Sequence, residues 1–563
     1  MKFRLFACAF AALVIAAPVS ARAPAAAHHM IAAANPYASR AGLEMLRNGG
    51  SAVDAAIAAQ MVLTLVEPES SGIGGGAFLL LWDPKHAKVT SFDGRETAPA
   101  SATPGMFLDA QGEPRPHMDA IPGGLSVGVP GVLAMLELAH KKYGKLPWTA
   151  LFRPAIALAE RGFPVSRKMA AEIREFPDMG RMPDIKRYLY HADGTPLHEG
   201  EILKNPELAQ TLRTIARGGA KAFYSGPIAQ AIVEKVQHAP VNRGGMTLAD
   251  LAAYKPVERE AVCGAYRVYR VCSMGPPSSG GVAVLQILGM LERFPSAQLQ
   301  PDSLSELHLV SEAERLAFAD RAQYLGDPDA IHVPVAGLLD RTYLAQRAAL
   351  IDPKKDMGTA VAGTPPSAKS QFAPQRTPQL PGTSHLSVVD DSGEVVSMTT
   401  TVEFVFGSEM MAKGFFLNNQ LTDFSFEPTV DGKPVANAPA AGKRPMSAMS
   451  PTIVFGPDGK FKIATGSPGG PLIITYVAEA LVGMLDGNLD PQTASAQPHF
   501  ANPNGPTILE KDTSIDSLAP QLTAMGHQVI ERDLESGLHI IARVPGGYIG
   551  GADPRRDGIA LGD

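Results

Sequence analysis

A proline-broken run that ends at a hydroxyl residue constrains this chain more than any other feature. Pro353, Pro365, Pro366, Pro374, Pro378 and Pro381 interrupt the segment that leads to Gly382. Thr383-Ser384-His385-Leu386-Ser387-Val388-Val389-Asp390 then opens an alternating stretch that continues to Thr401. That stretch reads as two strands around the turn Asp391-Ser392-Gly393. A flexible tail that meets a buried strand at a threonine is a layout suited to self-cleavage. Cutting between Gly382 and Thr383 frees the Thr383 α-amine. With a reference pKa near ~8, the amine can serve as base for the hydroxyl of the same residue, so no distant histidine is needed. A threonine in front of a strand is ordinarily only a loop residue. The rest of the chain decides against that reading.

Seven further segments carry a resemblance. They are Glu67-Pro68 to Gly76, Asp93-Gly94-Arg95-Glu96-Thr97-Ala98-Pro99, Pro276-Pro277-Ser278-Ser279-Gly280-Gly281, Tyr324-Leu325-Gly326-Asp327-Pro328, Leu417-Asn418-Asn419-Gln420, Lys443-Arg444-Pro445 and Gly466-Ser467-Pro468-Gly469-Gly470. With the Thr383 octamer, and in this order from about residue 30 to the C-terminus, they resemble the γ-glutamyltransferases (γ-glutamyl transpeptidases), a family of N-terminal-nucleophile hydrolases.

The bulk numbers fit a globular enzyme. Of 563 residues, 45% are hydrophobic and 19% charged, which leaves ample material for a core. A net charge of -6 without any basic block argues against a nucleic-acid partner. Residues 1–21 read as a signal peptide. Lys2 and Arg4 precede an apolar run from Leu5 to Ala17, too short to span a bilayer, and Val19-Ser20-Ala21 fits the small-x-small cleavage rule. An uncleaved anchor is the other reading. An exported protein, periplasmic or secreted, with no membrane attachment after signal removal, is expected. Cys8 lies inside the apolar run, so the mature chain keeps Cys263 and Cys272. They flank a hairpin-like segment, and both a cross-strand disulfide and two separate buried thiols remain open.

Helical periodicity marks residues 41–49, 52–66, 132–143, 148–161, most of 168–215, 282–293 and 304–324. Residues 77–82, 88–93 and 262–274 read as strands. After the proline-rich processing tail (352–382), strands are expected at 386–389, 395–402, 452–455 and 460–464, and a helix at 474–485. The mixture is α+β. The resemblance, and not the pattern, implies the four-layer αββα sandwich of the N-terminal-nucleophile hydrolases. It also implies a large subunit (22–382) and a small catalytic subunit (383–563) that share one sandwich as a heterodimer cut from one precursor.

The resemblance assigns roles residue by residue. Thr383 is the nucleophile, and Thr401, otherwise an ordinary strand residue, supports it. Arg95 binds the α-carboxylate of the substrate, where a planar guanidinium suits a carboxylate. Glu403 and Asp423 receive the α-ammonium, with Gln420 assisting. Family members carry either asparagine or glutamate at the position of Glu403, and glutamate adds charge for the amine. Ser447 bonds the carboxylate. The commonest pattern has a second serine where this chain has Ala448, a loss of one hydrogen bond to a charged group worth roughly 1.5–3 kcal/mol. Gly469 and Gly470 provide the oxyanion hole, since glycines let backbone N–H groups approach the tetrahedral oxygen, and a following helix adds its dipole. Taken singly, each of these residues has a plain surface or turn explanation.

Two further patterns carry no chemistry. Gly72-Ile73-Gly74-Gly75-Gly76-Ala77 meets a G-x-G-x-x-A pattern but runs into Phe78-Leu79-Leu80-Leu81, a strand, whereas a dinucleotide site must open a helix. His28-His29 lacks partner ligands and reads as part of a frayed terminus. No cofactor and no metal are expected. The polar segment between Asp423 and Lys443 has no aromatic residue after Phe426, so a partial lid or none is expected. The reading is an exported γ-glutamyltransferase and glutathione hydrolase, acting on glutathione or γ-glutamyl amides and passing the acyl group to water, an amino acid or a dipeptide. A glutaryl (cephalosporin-type) amide acylase on the same scaffold is the alternative, disfavoured because glutaryl has no amine for Glu403 and Asp423. A binding protein that never cleaves is disfavoured by the intact Thr383, Thr401 and Gly469-Gly470.

Overall fold

The computed structural model describes residues 23–368, 372–376, 380 and 382–563. The expected signal peptide, with Cys8, and Pro378 and Pro381 of the tail lie outside the described residues.

Strand Gly76–Asp83, GAFLLLWD, shows why the architecture is layered. Leu79 and Leu81 pack into one apolar cluster with helices, while Leu80 and Trp82 pack into another between sheets. A strand covered on both faces reads as a continuous apolar run, not an alternating one. It belongs to a seven-stranded antiparallel sheet in the order Ile559–Gly562, Met30–Ala33, Ser384–Val389, Val395–Thr401, Gly76–Asp83, Lys88–Gly94, Val257–Glu260. The second seven-stranded antiparallel sheet runs Ala25–Ala26, Gly547–Ala552, His539–Val544, Phe461–Thr465, Thr452–Phe455, Tyr269–Ser273, Val262–Tyr266.

Leu80, Trp82, Val389 and Val395 of the first sheet meet Cys272, Ile453, Phe455 and Ile541 of the second in the inter-sheet core. Helices Pro36–Arg47 and Ala52–Val66 cover the outer face of the first sheet. Helices Gly280–Leu291, Leu304–Tyr324 and Ile473–Leu485 cover the second. The result is a four-layer αββα sandwich. Both sheets draw strands from either side of residue 383.

Most elements match their expected spans. The first two helices are separated where Asn48 caps and Gly49 turns at φ 80°, and the second is opened by a Ser51–Asp54 capping box. The stretch 168–215 is more broken than its periodicity suggests. Helix Arg167–Glu175 stops before Pro177, Pro183–Leu189 is separate, and a loop intervenes before Pro206–Gly218. Prolines at these starts fit a first helical turn but not an interior. The hairpin Val262–Tyr266/Tyr269–Ser273 pairs Cys263 with Cys272, and a disulfide joins them.

The frayed terminus is a correction. His29 is buried, with Nδ1 2.8 Å from Asp391 Oδ1 and Nε2 3.3 Å from Asp563 Oδ2. Ala25–Ala26 and Met30–Ala33 on either side are sheet strands, so pairing removes the freedom that a terminus usually has. Among the described residues no helix is long and apolar enough to cross a membrane.

The rejected glycine pattern has a packing purpose. A Cβ at Gly74 would lie 2.0 Å from the Phe416 carbonyl oxygen, and one at Gly75 would lie 2.0 Å from that of Thr401. Gly75→Ala is therefore expected to push Thr401 out of register at a cost of roughly 1–3 kcal/mol or more. The readouts are a lower denaturation midpoint and slower appearance of the processed fragments. An unchanged midpoint with normal processing would show that the backbone yields without loss.

Candidate active site

The hairpin Ser384–Val389/Val395–Thr401 pairs Ser384 with Thr400. Continued outward by one residue, this register sets Thr383 beside Thr401, and Thr383 Oγ1 lies 3.4 Å from Thr401 Oγ1. Thr401 Oγ1 donates to the Gly382 carbonyl, the carbonyl of the bond expected to be cut, and accepts 2.8 Å from the Glu403 N–H. One hydroxyl thus touches the Gly382 carbonyl, the Thr383 hydroxyl and the Glu403 N–H. Gly382 is required sterically, because a Cβ there would lie 2.0 Å from the Glu403 carbonyl oxygen. Glu403 itself holds φ 85°, an uncommon conformation for a residue with a side chain.

A small cavity opens on this point. Of the ten expected site residues, nine line it: Thr383, Thr401, Arg95, Glu403, Gln420, Asp423, Ser447, Ala448 and Gly470. Gly469 lies instead on the wall of a larger adjoining cavity. Leu380 and Gly382, the last residues of the tail, line both. The segment after Asp423 forms a small hairpin, Thr429–Val430/Lys433–Pro434, and does not line the smaller cavity.

Arg95 is buried and spends much of its fork on protein groups. Nε donates 3.0 Å to the Pro445 carbonyl, and Nη2 donates 2.9 Å to the Met446 carbonyl and 2.5 Å to Asp423 Oδ2. Arg95 and Asp423, which the resemblance assigns to opposite charges of one ligand, are thus in direct contact. Gln420 Nε2 holds Asp423 Oδ2 at 2.6 Å. Asn419 Nδ2 donates to Glu403 Oε2, while Glu403 Oε1 is buried without a hydrogen bond.

Burial, and then the charge of Asp423, hold the Glu403 carboxyl well above the usual carboxylate range. Burial pushes Glu96, behind Arg95, up to about 8. Ser447 Oγ accepts 3.1 Å from the Met449 N–H, which leaves its own proton for a ligand. At Gly469 and Gly470, φ values of 133° and 58° turn the backbone into the helical segment that continues as Ile473–Leu485.

The other sequence segments form the support. Asp93 accepts from the Arg95 N–H at 2.8 Å and from Arg259 Nε at 2.9 Å. Asp327 Oδ2 accepts from the Arg444 N–H at 2.7 Å. Ser279 donates to the Ser447 carbonyl through both N–H and Oγ. Asn418 bonds Gly74 and Gly128.

Two buried arginines escape the sequence reading. Arg321 Nε donates 2.8 Å to Ser279 Oγ, and Arg556 Nη1 donates 3.1 Å to the Thr383 carbonyl. Arg321 sits in the last turn of helix Leu304–Tyr324 among other charges, and Arg556 follows Arg555 near the terminus, so neither stands out by spacing.

Among the described residues one group brings metal-type ligands together: His308, Glu312 and His527. Its nitrogens already have partners. His308 Nδ1 meets His527 Nε2 at 2.8 Å, His308 Nε2 meets the Asp352 carbonyl at 2.7 Å, and His527 Nδ1 meets Thr507 Oγ1 at 2.7 Å. A relay of hydrogen bonds accounts for this cluster.

Comparison with known proteins adds to the geometry. The family model described as Gamma-glutamyltranspeptidase matches residues 38–563. The chain is 38% identical over 540 residues to the glutathione hydrolase proenzyme of Escherichia coli (strain K12), covering 93% of this chain and 90% of that protein. It is 34% identical over 535 residues to the acylase ACY 1 proenzyme of Pseudomonas sp. (strain SE83), covering 93% and 91%. The crystal structure of cephalosporin acylase from Bacillus halodurans superposes with a TM-score of 0.85 at 28% identity over 99% of each chain.

Arg95→Lys is expected to keep the charge but lose the planar contacts to Pro445, Met446 and Asp423. The KM for γ-glutamyl-p-nitroanilide should rise at least about tenfold, a loss of roughly 1.4 kcal/mol, with self-cleavage little affected. An unchanged KM would remove Arg95 from the binding site.

Proposed function

We infer the reaction from a fixed premise: this chain belongs to the gamma-glutamyltranspeptidase family. It is a γ-glutamyl transferase and hydrolase, an N-terminal-nucleophile enzyme made as a proenzyme and acting on small substrates as a processed two-subunit protein. The finer assignment is our proposal. Cleavage occurs between Gly382 and Thr383 and yields a large subunit ending at Gly382 and a small one of residues 383–563. Glutathione or a γ-glutamyl amide is the donor. Residues 1–21 direct export, to the periplasm or beyond.

In the proposed cycle the Thr383 amine takes the hydroxyl proton as Oγ1 attacks the γ-carbonyl. Thr401 holds the attacking oxygen. The N–H groups at Gly469 and Gly470 receive the developing oxyanion, with the helix N-terminus behind them. Arg95, Ser447 and the Ala448 N–H receive the α-carboxylate. Glu403, Asp423 and Gln420 receive the α-ammonium. The amine returns its proton to the departing nitrogen. Water, an amino acid or a dipeptide then accepts the γ-glutamyl group from Thr383.

The observation that carries this reading over the acylase one is the pair Glu403 and Asp423 on the wall of the cavity that holds Thr383. A glutaryl group brings no ammonium to this pair: Asp423 would keep only its protein contacts, Arg95 among them, and Glu403 Oε1 would stay buried without a hydrogen bond. Polar sites reject a substrate lacking their partner far better than apolar sites reject a spare methylene.

Two experiments test the proposal. Thr383→Ala should remain a single uncut chain, and N-terminal sequencing of the smaller wild-type fragment should begin at Thr383. A fragment that starts elsewhere would move the nucleophile. In steady-state release of p-nitroaniline, kcat/KM for the γ-glutamyl amide should exceed that for the glutaryl amide by at least ~10²-fold, or roughly 2.7 kcal/mol. Glu403→Gln should narrow the gap by harming the γ-glutamyl substrate. Equal rates, or a preference for glutaryl, would reverse the ranking in favour of the acylase.

A further inference from the structure

The Thr383 carbonyl lies on the side of the residue that cleavage leaves intact, and it accepts 3.1 Å from Arg556 Nη1. The guanidinium is held from two directions. Nε donates 3.0 Å to the Ser536 carbonyl, and Nη1 lies 3.4 Å from Ser70 Oγ. Arg556 is only 6% exposed. The Thr383 nitrogen, which cleavage would turn into an amine, is therefore within one residue's span of a buried and fixed positive charge.

Two physical consequences follow. A strand end without its upstream chain frays unless something ties it down, and a hydrogen bond from a buried arginine to the terminal carbonyl does so. A fixed cation at short range also disfavours a second positive charge in the same low-dielectric space. An ammonium cannot accept a proton, so the second effect bears directly on the base.

We propose that Arg556 is a positioning residue for Thr383, and that its charge keeps the freed α-amine neutral near neutral pH so that it can take the Thr383 hydroxyl proton. The inference rests on the reading of Thr383 as nucleophile. The step balances without another reagent. The proton passes from Oγ1 to the amine nitrogen as the bond from Oγ1 to the acyl carbon forms, and it leaves with the amide nitrogen as that carbon–nitrogen bond breaks.

The other groups around Arg556 leave its field largely in force. Burial pushes the Glu67 carboxyl up to about 7 while Arg556 draws it down, so this neighbouring acid is only partly ionised near neutrality. Glu69, beside Glu67, is held well above the carboxylate range by burial and by Glu67. Burial and Arg556 push His539 down to about 3, so it is uncharged. Glu535 is ionised but is paired with Lys168.

The test is the pH profile of kcat/KM for γ-glutamyl-p-nitroanilide with full-length, processed enzyme. The acid limb reports protonation of the free enzyme's base. Arg556→Gln should move that limb to higher pH by about one unit and lower kcat at least tenfold. Arg556→Lys should return the limb near its wild-type position while kcat stays low, because a point charge replaces a planar fork. Glu67→Gln removes the anion that offsets Arg556 and should move the limb to lower pH. A processed, active Arg556→Gln with the wild-type limb overturns the proposal. If Arg556→Gln is not processed, Glu67→Gln decides: a limb moved to lower pH supports it, and an unmoved limb overturns it. Activity in an uncut Thr383→Ala chain would instead remove the nucleophile assignment, an outcome separate from both.

Discussion

The antiparallel register of one hairpin is the constraint on which the site depends. Ser384 opposes Thr400, so the next positions outward are Thr383 and Thr401. A slip of one residue would send every side chain of the strand to the opposite face. Register is held because both faces are packed: Leu386 and Val388 point to the helices, and Val389 and Val395 point to the second sheet. Two glycines then let backbone close on the pair from either side, Gly75 on Thr401 and Gly382 on Glu403. The proposed nucleophile, its hydroxyl partner and the start of the amine site are thus set by a single element and its immediate continuation.

The charged groups form a second, nested order. Removing charges from water is costly unless they are paired and hydrogen-bonded. Arg95 is buried against Asp423 and two carbonyls, and the turn that holds Arg95 is fixed by Asp93, itself paired with Arg259 and near Arg444. Glu403 and Glu96 are left short of partners, and their carboxyls rise accordingly. A pocket built this way suits the zwitterionic head of the proposed donor, with donor and acceptor groups in contact.

The topology also bears on processing. Each sheet holds strands from both before and after residue 383, so a cut at the proposed bond would free a chain end without releasing a domain. Leu380 and Gly382 stand between the small cavity and the larger adjoining one.

The motif positions and many of the elements were legible in the chain itself. Helix Leu304–Tyr324 and strand Thr452–Phe455 fall where periodicity puts them, and Thr383, Arg95, Glu403, Asp423 and Gly470 stood out because the segments around them resemble those of one family, not because of their own local pattern. What the chain could not disclose are contacts between residues hundreds of positions apart. The contact between Arg95 and Asp423 is one, and the reach of Arg556 to the Thr383 carbonyl is another. So are the supports of Arg321 beneath Ser279 and the capture of His29 by Asp391 and Asp563. Spacing along a sequence encodes the period of a helix or a strand. It does not encode which elements meet, since that is decided by how two sheets and their covering helices pack to exclude water. Only packing brings a terminal arginine to the start of a strand in the middle of the chain.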